Sequence, residues 1–192
     1  MSQLIKPGQG FLYMKVGTHA QETLEDIIKR KTKEIEQAGF AMWGYGGNTC
    51  HPQTMVQPFA RECEKTGNTI YLCMEEMNSM HFAEPIRADE YSTDGRSWHE
   101  IDRNVNVTGS RYALVIKNLR QQEFELPLHQ STVAIGNSMG AAGDRYIRGR
   151  VDKACLRLAE EPSNEIGTEF RHISLIAELS DPFAVYLRNK VG

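Results

Sequence analysis

The sequence predicts an α+β fold in which a mixed, mainly antiparallel sheet curls into a barrel with flanking helices. Three observations carry this. Strand and helix patterns alternate as β-α-β-α over the first third, strands then follow one another in series, and an α-β-α pattern ends the chain. Strands in series pair as hairpins, whereas alternating units give parallel neighbours, so both pairings are expected together.

FLYMKVG (11 to 17) alternates and is β-favouring, and it predicts the first strand. Thr18 with Gln21 has capping-box spacing, and Ala20, Leu24, Ile27, Ile28, Ile35 and Ala38 then recur at helical steps until Gly39 closes the helix. Glu25, Lys29, Lys33 and Glu36 form its solvated face. FAMWGYGG (40 to 47) predicts a second strand broken by glycine, and 54 to 65 a short helix with Pro58 near its first turn. TIYLCMEEM (69 to 77) and GSRYALVIKNLR (109 to 120) predict strands, and FAEPIRADEYS (82 to 92) an edge or bulged strand because of Pro85. EFELPLHQSTVAI (123 to 135) reads as a strand interrupted by proline. After the glycine-rich loop GNSMGAAG (136 to 143) a helix is expected over about 144 to 160. RHISLIAELS (171 to 180) then predicts a strand, and DPFAVYLRNK (181 to 190) a helix opened by Asp-Pro. The expected organisation is one domain over 1 to 192, with a barrel core at 10 to 135 and a C-terminal helix-strand-helix extension at 136 to 192.

Composition narrows the function classes. With 192 residues, 40% hydrophobic and 24% charged, the chain has an ordinary globular composition. No run of 18 apolar residues exists, so no membrane-spanning helix is expected, and MSQLIKPGQG lacks a secretory pattern, so the expected location is the cytoplasm. Cys50, Cys63, Cys73 and Cys155 show no close metal spacing and are expected as reduced thiols. The net charge of −3 disfavours a long phosphate backbone as ligand. Basic character is local, in KRKTK (29 to 33) and GDRYIRGRVDK (143 to 153), which leaves room for a small anion.

The stretch WGYGGNTCHP (43 to 52) is the densest in chemistry. Trp43 and Tyr45 fall on one side of a strand because side chains alternate with period two. Gly44, Gly46 and Gly47 would admit a ligand close to the backbone. Asn48 offers donor and acceptor, Thr49 a hydroxyl, and His51 an imidazole. The competing reading is a bent core strand with both aromatics buried. Cys50 beside His51 makes a poor nucleophile–base pair, since neighbours on an extended chain point apart; His19, His81, His99 and His129 are the other imidazoles that folding could bring to it. The six histidines show no metal-ligand spacing, and no metal or cofactor is expected.

The first strand, the following helix, the Trp-Gly segment and then TIYLCMEE, FAEPIRADEY, RYALVIKNLR and FELPLHQ together resemble the small β-barrel of the PUA-like superfamily, the group of the EVE, ASCH and YTH domains. The resemblance covers roughly residues 10 to 130; the helix at 20 to 38 is longer than the family pattern, and everything from 136 lies outside it. It implies a pocket for a nucleobase, often a modified one, with stacking aromatics and polar groups that read the base edge. Some ASCH domains are amidohydrolases on an acylated cytidine that use a Lys and a Thr three apart with a Glu. Lys15-Val-Gly-Thr18 matches that spacing, with Glu76, Glu75 or Glu84 as the carboxylate. A buried amine has a lowered pKa and can serve as a base, although Thr18 also has the ordinary task of capping a helix.

GNSMGAAGDRYIRGR (136 to 150) is neither a Walker loop nor a dinucleotide fingerprint. Leading into a helix, it could seat an anion on free amides, with Asn137 and Ser138 in the loop and Arg145 and Arg148 on one helix face; Arg150 points elsewhere. A linker before an ordinary basic helix is the competing reading. The expected function is a recognition module for a nucleobase, nucleotide or nucleotide-derived signal. Its ligand residues are Trp43, Tyr45, Asn48, Thr49, His51, Asn137, Ser138, Arg145 and Arg148. The alternatives are a small hydrolase using Lys15, Thr18 and Glu76, and a partner-binding or inhibitory protein. Expected partners are a nucleotide-like small ligand or a short flipped nucleic acid, no membrane, and self-association as an open alternative.

Overall fold

The computed structural model describes residues 4–46, 51–81, 83–148, 151–161 and 170–190. In chain order the elements are β1 (Gly10–His19), α1 (Leu24–Ala38), β2 (Ala41–Tyr45), α2 (Gln53–Lys65), β3 (Tyr71–His81), β4 (Glu90–Ser92), β5 (His99–Glu100) and β6 (Tyr112–Pro127). A 3-10 turn at Leu128–Gln130 leads to β7 (Ser131–Val133), α3 (Gly143–Ile147), β8 (Lys153–Leu158) and β9 (Phe170–Arg188). The fold is α+β. Its nine-stranded sheet runs β2-β6-β9-β3-β1-β8-β7, with β4 on β9 and β5 on β4. Among these pairings β1–β3 is parallel and the others are antiparallel. The path has two ends, β2 and β7, and does not close on itself.

The parallel pair follows from connectivity. Neighbouring parallel strands need a long crossover, and α1, β2 and α2 supply it between β1 and β3. Period-two alternation then sorts β1 between two cores. Leu12, Met14 and Val16 face α1 and α2, whereas Phe11 and Tyr13 face the layer of β7, β8 and α3. A third cluster, with Met42, Val105, Val107, Val115 and Val185, covers the other face of β2 and the adjoining parts of β6 and β9.

Helix α1 starts later than the capping-box spacing suggests. Thr23, not Thr18, is its N-cap and accepts the Asp26 N–H, while Gly39 ends it at φ 86°, its N–H bonded to the Ile35 carbonyl. Thr18 stays in β1, and Ala20 and Gln21 turn the corner with positive φ. Pro58 lies inside α2 rather than in its first turn.

Two expected helices are not present as such. Instead of a helix over 144 to 160, α3 ends at Ile147 and KACLRL forms β8. Lys153, Ala154, Cys155 and Leu156 are all buried because both faces of this strand are covered, and a short run buried on two sides has no period that tells strand from helix. Instead of a helix at 181 to 190, β9 continues to Arg188. Asp181 and Pro182 fall in a bulge where Leu179–Ala184 faces only Ile116–Leu114 of β6, so Pro182 owes the ladder no N–H. Of the described residues 83 to 92, Glu90–Ser92 form a strand and Arg87 an isolated bridge. The described part of 136 to 192 is therefore not a helix-strand-helix extension: β8 pairs with β1, and β9 runs between β6 and β3 at the centre of the sheet.

Candidate functional site: a cavity between α1, β1 and β2

A cavity of about 630 Å³ opens where β1 turns into α1, bounded by the end of β2, the segment Val107–Arg111 and the start of β8. That size lies within the roughly 300–1,000 Å³ of small-molecule sites. Its apolar wall contains Trp43 and Tyr45, each 6% exposed, with Val16, Ile27 and Val107. Alternation along β2 places both rings on the cavity side, with Gly44 between them. Tyr45 packs on Tyr112 at 5.3 Å between ring centroids, and the Lys153 ammonium lies 3.9 Å from the Tyr45 ring centre. Lys153 is 1% exposed and also donates to the His51 carbonyl at 2.7 Å.

The α1 side is built from charge. Arg30 forks onto Glu22 at 2.5 and 3.2 Å and reaches Glu34 at 3.3 Å. Lys31 meets Glu34 at 3.2 Å, and both cations donate to the Asn106 carbonyl, whose residue returns its N–H to Glu34 at 2.9 Å. Burial pushes the Lys31 ammonium down to about 8 against the pull of Glu34. Between Ile27 and Ile35 the inward stripe of α1 is thus occupied by an ion network that ties the helix to the segment before β6.

The β1 side carries Lys15, Thr18 and His19. Lys15 Nζ donates to the Ile147 carbonyl at 3.0 Å, and its pKa is lowered by burial and by the Arg171 charge, with Asp152 and Glu75 opposing. His19 Nε2 approaches the Thr108 carbonyl at 3.3 Å and Ser110 Oγ at 3.4 Å, joining β1 to the 107–111 wall. Asp152 and Arg111 complete the mouth, and Arg111 lies over the Tyr112 ring at 5.7 Å.

Four predicted residues, Lys15, Thr18, Trp43 and Tyr45, meet in this one cavity. Others do not join them. Glu76 is exposed and does not line it, Glu84 is exposed, and Glu75 is engaged by the Tyr13 hydroxyl and by Arg171 at 3.7 Å. His51 is a framework residue, not a ligand reader: it is 4% exposed, its Nδ1 accepts the Cys155 N–H at 3.1 Å, and its Nε2–H meets Tyr146 Oη at 2.9 Å. Desolvation and the nearby Lys153 charge push its pKa down to about 4, so it is neutral. Asn48 and Thr49, with Gly47 and Cys50, lie outside the described residues.

The described part of the loop, 136 to 148, does not form the second wall. Asn137 is exposed and Ser138 half-buried in a turn away from the lining, Arg145 is exposed, and Arg148 is the extended, exposed residue after a five-residue α3; Arg150 lies outside the described residues. The Ile147 carbonyl accepts from Lys15 Nζ. Gly44 answers to the protein and not to a ligand, because a Cβ there would sit 2.2 Å from Ser110 Oγ. The described cysteines are free and buried, and burial pushes the Cys155 thiol up to about 12 and that of Cys73 upward too, so neither is a thiolate nucleophile.

Sequence reasoning missed Glu22 and Arg111, and it met Arg30, Lys31, Asp152 and Lys153 only as members of the basic stretches 29 to 33 and 143 to 153, not as cavity residues. One signal was available: the apolar stripe of α1 skips a rung between Ile28 and Ile35, and Lys31 and Glu34 fill it. Among the described residues no helix is long and apolar enough to cross a membrane, and no group of three or more metal-ligating side chains forms. In comparisons with known proteins, no family model, no curated protein and no solved structure matches the chain.

Proposed function

We propose that the cavity is a recognition site for a nucleobase-bearing small molecule, a nucleotide or a nucleotide-derived signal. One observation carries this reading: two nearly buried aromatic rings on β2 share a cavity of about 630 Å³ with Lys15, Arg111 and Lys153. A heterocycle needs a flat apolar platform, and its phosphate or polar edge needs donors; the two walls offer one of each. The PUA-like resemblance implies the same ligand class; a barrel of that kind would be an open one here, since β2 and β7 end the mixed, mostly antiparallel sheet without pairing to each other. The free buried thiols fit a reducing compartment, and the cytoplasm is the location we assign.

Native mass spectrometry of freshly purified protein tests the reading and gives the subunit number. A released nucleoside or nucleotide is the expected result. An empty protein that also binds none of a nucleoside and nucleotide panel would refute it.

A second reading is favoured by a specific observation, namely that Lys15 and Thr18 line the same cavity and that the Lys15 pKa is lowered. In it a small hydrolase acts on a modified nucleoside, with Lys15 as base, Thr18 supplying a hydroxyl from the same cavity lining, and Glu22 or Asp152 in place of the exposed Glu76. Incubation with acylated cytidines distinguishes the two. Turnover abolished by Lys15→Ala in a folded protein supports the hydrolase, and unchanged substrate supports recognition alone.

A further inference from the structure

Two stretches of sheet edge are treated differently. At β7 the chain closes its own edge: Val133 N–H donates to the Ala141 carbonyl at 2.9 Å, and Gly140 N–H to the Val133 carbonyl at 2.9 Å. On β6 the strand β2 covers 112 to 116, whereas β9 pairs with β6 as far as Pro127. From 117 to 127, therefore, one side of β6 is bonded to β9, and among the described residues no strand lies on the other. Along such an edge alternate residues turn their N–H and C=O groups outward.

Two features keep an arbitrary strand off this edge. The register with β9 shifts between Lys117 and Arg120 and again between Gln121 and Phe124, and such bulges twist a strand out of line. Exposed charges also stand along it in a fixed order, Lys117 and Arg120 before Gln122, Glu123 and Glu125 after it. Lys117 and Arg120 form no ion pair among the described residues. Glu178, opposite Lys117 on β9, accepts from the Asn118 amide, and Arg120 donates to Gln122 Oε1 and the Asn118 carbonyl, each at 3.3 Å. Glu123 and Glu125 share the exposed His172, at 3.5 and 2.6 Å.

We propose that this edge pairs with the same edge of a second copy of the chain, antiparallel and about a two-fold axis at Gln122, so that the two sheets join into one. The order of the charges selects this mate. A strand reversed about Gln122 sets Arg120 opposite Phe124 of the second copy, with Glu123 and Glu125 on either side, and sets Lys117 beyond Glu125. Opposite charges then meet at both ends of the paired stretch, because a two-fold axis repeats every contact. A parallel mate in matching register would set Arg120 on Arg120 and Glu123 on Glu123, which is repulsive. Half-buried Leu119 and Phe124 give the mate apolar surface along the same edge. The interface is separate from the cavity, since β2, with Trp43 and Tyr45, occupies the neighbouring stretch of β6.

Sedimentation equilibrium of the full chain over a range of concentrations tests this, together with amide hydrogen exchange at 117 to 125. A monomer–dimer equilibrium is expected, weakened by salt, with outward amides of that stretch exchanging more slowly in the dimer. Exposed charge contacts are weak singly, but symmetry repeats each of them. Arg120→Glu is therefore expected to raise the dissociation constant about tenfold or more, and so is Glu123→Lys combined with Glu125→Lys. An equal mixture of these two variants should dimerise as tightly as the unsubstituted chain, because each then meets opposite charge at both contacts. All three positions are exposed, and urea unfolding checks that the variants keep their fold. A chain that stays monomeric at every concentration overturns the proposal. A dimer that neither reversal weakens, or a mixture no tighter than either variant alone, overturns it as well.

Discussion

The two ends of the cavity hold the same residue types by different contacts. On the α1 side Arg30 and Lys31 are surrounded by Glu22, Glu34 and the Asn106 carbonyl, each donor answered by the protein itself. At the Tyr45–Gly46 end the described contacts of Lys15, Lys153 and Arg111 include the Ile147 and His51 carbonyls and the Tyr45 and Tyr112 rings. A buried cation that the fold neutralises holds elements in place, because breaking such a pair strands a charge. A cation seated on a carbonyl or a ring is instead fixed in direction by that contact. Counting basic residues in the sequence cannot separate these cases; finding the carboxylates that face them does.

The comparison can be broken at several points, and the largest effect is expected in the α1 network. Glu34→Ala strands Lys31 and Arg30 and releases the Asn106 N–H, and it should cost about 3–5 kcal/mol in urea unfolding. A loss below about 1 kcal/mol, the level of an exposed pair, would mean that this end is not structural.

His51 comes next. Its folded pKa of about 4 lies below the ordinary value of 6.5, so the folded state holds fewer protons than the unfolded state between those values. The stability from neutral His51 is full above pH 6.5 and is lost as pH falls toward 4, on the order of 3 kcal/mol across the window. Denaturation at pH 7 and pH 5 should show a smaller drop in His51→Asn, whose amide oxygen can still accept from Cys155 N–H. Equal drops in the two proteins would contradict the framework role.

Gly44→Ala is expected to cost about 1–3 kcal/mol, since the new methyl meets Ser110 and Val107. Ser110→Gly should restore part of that loss, and no restoration would show that the conflict lies elsewhere. The smallest effect belongs to Lys29→Ala. Lys29 and Glu25 form an i,i+4 pair at 3.0 Å with side chains 71% and 78% exposed, and its loss should stay within about 0.5 kcal/mol.

The first half of the fold was legible because its elements are amphipathic. Leu24, Ile27, Ile35 and Gly39 mark α1, and the alternation of 11 to 17 marks β1, each within a few residues of the observed bounds. The second half was not, because β8 and the end of β9 are covered on both faces: Ala154, Cys155, Ala184 and Val185 are fully buried, and without an exposed face there is no period to read. The site divided in the same way. Trp43 and Tyr45 are two apart, and alternation along a strand put them on one side; Lys15 and Thr18 were named through the PUA-like resemblance, and all four line the same cavity. The meeting of Lys15 with Asp152 and Lys153 depends on β1 pairing with β8 from the far end of the chain, which no local pattern encodes. Buried His51 looked like a reader for the same reason, since its partners Tyr146 and Cys155 are remote in sequence.

The most direct test of the central claim uses the cavity's own chromophore. The chain has two tryptophans, and Trp98 stacks on Arg188 away from the cavity, so Trp98→Phe leaves Trp43 as the reporter. Titration of that variant with a panel of nucleosides and nucleotides should change Trp43 emission saturably for at least one of them. Saturable binding that leaves Trp43 emission unchanged would place the ligand elsewhere and contradict the assignment of this cavity.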